Sequence, residues 1–341
     1  MLPEEQKSLE QNSFERRKIM KRLIFVVALL LVVYQLNIGT PAVDAQPYPS
    51  HPIQLLTPGT PGLMQDVTCR LLGEEIGKIM NAQITVMNKP GASMTLATDA
   101  AARSKKDGYT LLYASATPFV YAPVTNPKIV PYDPLKDLEP LGGEAVFPFT
   151  VTVQEGAPWK TFPELVDYAK KNPGKLRVAT PGVLSTDNFN VQVVQALTGA
   201  QFTHVPMSSG PAIALLGGHV ELTFSPITEV SQYVKAGKLR LLLLSTKLTQ
   251  FPNVPTIRDF GYKQDLFTGW FAFFAPAGIP DDVKKVLIPA IEKAFKNPEL
   301  KAKIEKMEFS VDYKSPEEFK RMLAEEYQRA SAIAEKLGIK K

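Results

Sequence analysis

Cysteine is nearly absent from this chain of 341 residues: Cys69 stands alone. A lone cysteine excludes an intramolecular disulfide and every paired-cysteine metal or redox motif. It falls on the apolar side of a predicted helix and reads as a small buried hydrophobe. Histidine is also scarce, and His51, His204 and His219 lie far apart. Each reads as a surface or turn residue rather than a ligand or base. Glycine-rich phosphate and dinucleotide loops are missing, as are the HExxH and GxSxG patterns. The adjacent carboxylates Glu74/Glu75 and Asp281/Asp282 fall on amphipathic or capping positions, where solvation explains them. No enzyme signature stands out, and no cofactor or metal is called for. Runs of Lys and Arg interleaved with aromatics are lacking, and the net charge of +5 is spread along the chain. That argues against a nucleic-acid partner and leaves attraction for anionic solutes open.

Long apolar runs are lacking too. Leu23 to Tyr34 is short beside the ~20 residues a membrane span needs. It follows Met20, Lys21 and Arg22 and leads to Val43, Asp44 and Ala45. A charged start, a short apolar stretch and a small residue before the cut describe a secretory signal peptide over 1–45, cleaved after Ala45. The product is expected in the periplasm. The four glutamates before residue 16 are unusual in such a leader, and Met20 is the expected true start.

What is present suits a globular protein. Apolar residues make up 45% and charged residues 21%, enough for a packed core in a chain long enough for two domains. The 29 prolines suit many short loops and oppose one long helical bundle. Hydrophobic patterning predicts alternating strands and helices. Strands are expected at Ile53–Thr57, Gln83–Met87 and Tyr109–Ala114, with helices over about Val67–Met80 and Thr95–Arg103 between them. After a proline-rich crossing the pattern restarts. Strands are expected at Lys175–Ala179, Phe202–Val205, Val220–Phe224, Leu239–Ser245 and Phe271–Ala275. Thr161 and Glu164 form an expected capping box. Helices are expected from Asp187 and Pro211, and at the C-terminus over Pro280–Lys296, Pro298–Met307 and Ser315–Lys336. Pro289 should kink or break the first of these three. The order predicts parallel sheet covered by helices.

Four loops lead from a strand end into a helix: Pro58–Gly62, Pro90–Ser93, Pro181–Thr186 and Pro206–Gly210. Such junctions offer free backbone N–H groups and a positive dipole end, which suit an anion. In open α/β sheets ligands gather at these carboxyl-end crevices.

Eight collinear segments resemble the extracytoplasmic solute receptors of tripartite tricarboxylate transporters, the Bug-type receptors. They are Tyr48–Ile53, Asn88–Ala92, Asp107–Leu112, Val130–Asp137, Leu215–Val220, Lys235–Arg240, Asn253–Thr256 and Ala275–Pro280. The resemblance implies an α/β fold of the type II periplasmic-binding-protein class, with a ligand cleft between two lobes. Lobe 1 would be 46–147 with 268–341, and lobe 2 148–267. The implied role is a non-enzymatic receptor that captures a small organic acid, a carboxylate, for membrane permease subunits. The alternative is a binding protein that feeds a signalling partner.

In the first ligand loop Pro58, Gly62 and Asp66 match the family pattern, while Leu63 replaces its second glycine. In the middle loop Ser185 and Thr186 fit the expected hydroxyls, and Asn188 replaces a histidine. The last loop carries Ser208, Ser209 and Gly210. The resemblance thus points to Thr60, Pro61, Gly62, Asp66, Ser185, Thr186, Asn188, Ser208, Ser209 and Gly210 as ligand-binding residues. Leu63, Met64, Met94 and Met207 bring apolar bulk into these loops, and no arginine stands in them. The expected ligand has one anionic group and an apolar or aromatic body.

Overall fold

The computed structural model describes residues 16–29, 47–207 and 210–339. The chain divides into two compact units, 1–47 and 48–341. In the first, residues 16–29 form helix α1, and the expected cleavage site after Ala45 lies outside the described residues. Among the described residues no helix is long and apolar enough to cross a membrane.

The second unit opens with β1 (Ile53–Thr57), α2 (Met64–Met80), β2 (Ile84–Asn88), α3 (Thr95–Ala102) and β3 (Thr110–Ser115). A π turn over Thr117–Tyr121 runs into the short α4 (Ala122–Thr125), and two strands follow, β4 (Leu138–Phe147) and β5 (Phe149–Gln154). Next come α5 (Phe162–Lys171), β6 (Leu176–Thr180), α6 (Thr186–Thr198), β7 (Phe202–Pro206) and α7 (Pro211–Leu216). Then β8 (Leu222–Pro226), α8 (Ile227–Lys235), β9 (Leu239–Leu244) and β10 (Gly269–Pro276). The chain closes with α9 (Asp281–Lys296), α10 (Pro298–Glu305), β11 (Ser310–Val311) and α11 (Pro316–Lys336).

These strands form two sheets. One has six strands in the order β11-β4-β10-β3-β1-β2, and the other five in the order β7-β6-β8-β5-β9. In each, three strands run parallel: β3, β1 and β2 in the first, β7, β6 and β8 in the second. The expectation of parallel sheet needs correcting beyond those trios. β10 pairs antiparallel with both β3 and β4, and β5 antiparallel with both β8 and β9. The cause is the connection between the sheets. β4 leads almost directly into β5, with Pro148 alone between them, and β10 returns the chain to the first sheet.

Local sequence explains several helix starts. Asn297 and Ser315 cap α10 and α11, each with proline at the start of the helix. Ser315 and Glu318 form a complete capping box. At α5 only half of the expected box is present. Thr161 accepts from the Glu164 amide, but the Glu164 carboxylate takes the Lys160 N–H at 2.7 Å. The α9 helix is not broken at Pro289. The proline is exposed, and on a solvent-facing side outward-tilted carbonyls make room for the ring.

The sequence reading lacks β4, β5 and the two-residue β11, and β4 is the longest strand of the fold. Pro140, Gly142 and Gly143 disguise it as loop. Both glycines have positive φ, +103° and +97°, and the β4–β10 register shifts beside Gly142, as at a β-bulge. A side chain at Gly143 would strike the ring of Phe295.

β10 is the spine of the core, with all eight residues buried. Its Trp270, Phe271, Phe273 and Phe274 rings meet Phe119, Tyr113, Phe147 and Phe319 at centroid distances of 4.0 to 6.4 Å. Cys69 is buried and unpaired, as its pattern implies.

Candidate functional site

A cavity of about 390 Å³ opens where the carboxyl ends of the parallel strands of both sheets meet. From the six-stranded sheet come the loop after β1, with Thr60, Gly62 and Leu63, and the end of β3, with Ser115 and Thr117. From the five-stranded sheet come Pro181, Thr186 and Asp187 after β6, Gly210 to Ile213 after β7, Pro226 at the end of β8, and Thr228, Glu229, Gln232 and Tyr233 on α8. Phe147, Phe149 and Phe271 form an aromatic side of the cavity. Two side-chain contacts join the walls. Thr117 and Thr186 share a hydrogen bond of 3.1 Å, and the Thr228 hydroxyl donates to the Met64 sulfur at 2.8 Å.

The loop after β1 turns sharply at Gly62, where φ is +81°, a conformation that favours glycine. Its N–H donates to Asp66 Oδ2 at 2.8 Å. Asp66 also accepts from Arg70 and from Asn88 Nδ2, at 2.9 and 2.7 Å. Burial alone would raise its pKa, but these partners prevail and hold the carboxyl below its usual range. Asp66 is thus a tie beneath the loop and not part of the cavity wall. The α2 helix it belongs to starts at Met64 with Leu63 at the cap position, and no side chain caps that end. The exposed start of a 17-residue helix presents bare N–H groups and a positive dipole end to the cavity.

The middle loop is built differently. Ser185 accepts from the Asn188 amide at 3.1 Å and donates to the Gly182 carbonyl at 2.9 Å. Asn188 donates to the Val183 carbonyl at 2.7 Å. Both residues hold the turn into α6. Ser185→Ala is therefore expected to lower stability by about 1 kcal/mol, the usual cost of a lost cap. Urea denaturation measures it, and an unchanged midpoint would deny Ser185 that role.

Of the ten residues singled out in the sequence, Thr60, Gly62, Thr186 and Gly210 line the cavity. Pro61 is exposed beside it; Asp66, Ser185 and Asn188 support it from behind. Ser208 and Ser209 lie outside the described residues. Leu63, Met64 and Met94 do bring apolar bulk to the wall, whereas Met207 packs onto the core of the second sheet.

The sequence reading missed Gln65, Asp187 and Glu229, which carry the polarity of the cavity. Gln65 is only 4% exposed and Asp187 5%. Gln65 Oε1 and Asp187 Oδ1 are buried without a hydrogen-bond partner. Burial, and then the nearby Glu229, push the Asp187 carboxyl well above the usual range. Burial pushes Glu229 up to about 7. Asp187 sits in the first turn of α6, where an acid ordinarily just complements the dipole, so its spacing gives no warning. Glu229 was hidden because α8 was not recognised as a helix. Among the described residues no group of three His, Cys, Asp or Glu is arranged to hold a metal ion.

Comparison with known proteins agrees with this geometry. Residues 68–339 match the tripartite tricarboxylate transporter family receptor, TctC. A Cupriavidus necator protein described as a UPF0065 protein in the gbd 5′ region is 32% identical over 330 residues, 94% of this chain and 99% of its own length. BugT of Bordetella pertussis is 29% identical over 325 residues, again 94% of this chain and 99% of that protein. The solved structure of the periplasmic binding protein BugD superposes with a TM-score of 0.79 at 26% identity, covering 86% of this chain and all of BugD. The chain belongs to the receptor family of the tripartite tricarboxylate transporters and has the two-lobed α/β fold of periplasmic binding proteins.

Proposed function

We propose that this protein is exported, cleaved after Ala45, and captures a small carboxylate-bearing solute in the periplasm for delivery to membrane permease subunits. The lobes in this reading are 46–147 with 268–341, and 148–267. The strands of the six-stranded sheet fall in the first and those of the five-stranded sheet in the second. Such lobes close about a ligand by hinge motion, and a permease reads the closed form. The solute is held and released unchanged.

The observation that carries the reading is the uncapped start of α2 on a cavity shared by both sheets. A carboxylate placed there takes up bare N–H groups and lies at the positive end of the helix dipole. The Thr186 hydroxyl completes the polar side, and the phenylalanines receive the apolar body.

Mature protein recovered from the periplasmic fraction should bind a carboxylate from a metabolite panel in calorimetry. Thr186→Val should weaken that binding by about 1 kcal/mol, the scale of one hydrogen bond. Full-length chain retained in carbonate-washed membranes, or binding unaltered by Thr186→Val, would count against this assignment.

A further inference from the structure

Two buried side-chain acceptors of the cavity lack a partner, and a third, acidic side chain stands with them. Asp187 and Glu229 line it from the five-stranded side and Gln65 from the six-stranded side. Among the described residues that line it, none is Lys, Arg or His. The titratable groups facing it are Asp187 on α6 and Glu229 and Tyr233 on α8. Asp187 Oδ1 and Gln65 Oε1 are nine-tenths or more buried and have no partner. Gln65 is not free to turn its amide over: its Nε2 donates to the Tyr113 carbonyl at 3.2 Å, which leaves the oxygen directed away from that bond. Buried polar atoms are paired in nearly all native proteins, so an unpaired acceptor in a ligand cavity points to a donor that arrives with the ligand. A second or third carboxylate is a poor candidate, because it would face two acids with no cation between them.

We propose that the solute carries, besides its carboxylate, a protonated amine that seats among Asp187, Glu229 and Gln65 Oε1. The substrate class is then a small amino-carboxylic acid. This deepens the receptor reading above and rests on it. The carboxylate end meets the α2 start, and the ammonium end supplies N–H groups to the three acceptors. A primary ammonium has three N–H donors, one for each. The leucine at the position of the family's second glycine fits as well. Leu63 narrows the approach to bare amides, so one carboxylate enters and the rest of the selectivity passes to the acidic wall. Burial raises the proton affinity of both carboxyls, and a seated cation would favour their charged forms.

The experiment is calorimetry on the mature protein at pH 8 with matched probes: butyrate, glutarate, 4-aminobutyrate, glutamate and butylamine. At least one amino acid should bind ten-fold or more tighter than the acid of the same skeleton that lacks the amine. Asp187→Asn and Glu229→Gln should each cut that preference at least ten-fold in a protein whose melting temperature is not lowered. Binding of the amino acid should also strengthen between pH 6 and pH 8, as the carboxyls ionise. Glutarate or butyrate binding as tightly as the amino acids, or binding that strengthens toward low pH because a protonated Asp187 or Glu229 donates to a carboxylate, would overturn the inference and leave the receptor reading intact. Butylamine binding as tightly as 4-aminobutyrate would support the amine seat and remove the carboxylate from the receptor reading. No binding of any probe by folded protein would overturn both.

Discussion

At pH 8 and without ligand, Glu229→Gln should make this protein more stable than the wild type, by roughly 2–3 kcal/mol. Glu229 ionises in the unfolded chain near the ordinary glutamate value, but burial in the cavity wall pushes it up to about 7 in the folded protein. Its folded pKa therefore lies above its unfolded one. The sign follows directly. Below the unfolded value both states are protonated and nothing is lost. As pH rises toward the folded value the unfolded chain gives up its proton first, and the folded state becomes progressively less favourable. Above about pH 7 the full difference is present. Asp187 is shifted the same way, by burial and by the charge on Glu229, so Asp187→Asn should act in the same direction. Urea denaturation of wild type and variants at pH 5 and pH 8 gives the test. The gap between them should be small at pH 5 and wide at pH 8. A gap that does not change with pH would mean that the cavity acids ionise as freely as they do in water. Substitutions that stabilise an empty site while weakening binding are the expected signature of a cavity kept polar for a ligand.

Glu326→Ala should cost about 3–5 kcal/mol at any pH near neutral, the range for breaking a buried polar network. Glu326 lies on α11, and its carboxylate accepts from the Tyr121 hydroxyl at 2.5 Å and from the Trp270 indole N–H at 2.8 Å. Tyr121 and Trp270 are essentially inaccessible, at 0% and 1% exposure. Removing the carboxylate strands both donors in the core, each at about 1–3 kcal/mol, and leaves a void beside the aromatic rings of β10. Burial raises the pKa of Glu326, and the two donors draw it back, so the group is held by its partners and not by solvent. Glu326→Gln retains an acceptor and should lose less than half as much. An Ala variant within 1 kcal/mol of wild type in urea denaturation would show that α11 does not depend on this junction.

The two predictions touch opposite halves of what the sequence disclosed. Period and punctuation marked β1, α2, α6, β7, α7 and the three C-terminal helices to within a few residues, because each has its own cap, turn or apolar stripe. They did not mark β4, whose Pro140, Gly142 and Gly143 belong to a bulged strand held by its neighbours, nor α8, which follows β8 without a break. The loops of the candidate site were legible as loops. Which of their residues face the cavity was not. Ser185 and Thr186 are adjacent hydroxyls with equal claims, yet helix geometry turns Ser185 to its own backbone and Thr186 toward Thr117 and the cavity.

The sequence by itself determined the family, the alternation of strand and helix, and the lack of any catalytic or metal-binding motif, since these depend on order and spacing along one chain. Tertiary structure alone decided the chemistry of the cavity. Gln65, Asp187 and Glu229 are separated by 122 and 42 residues along the chain, and no local rule relates them. Their meeting depends on two sheets bringing the carboxyl ends of their strands together, and burial then leaves Gln65 and Asp187 with acceptors in want of a donor beside Glu229.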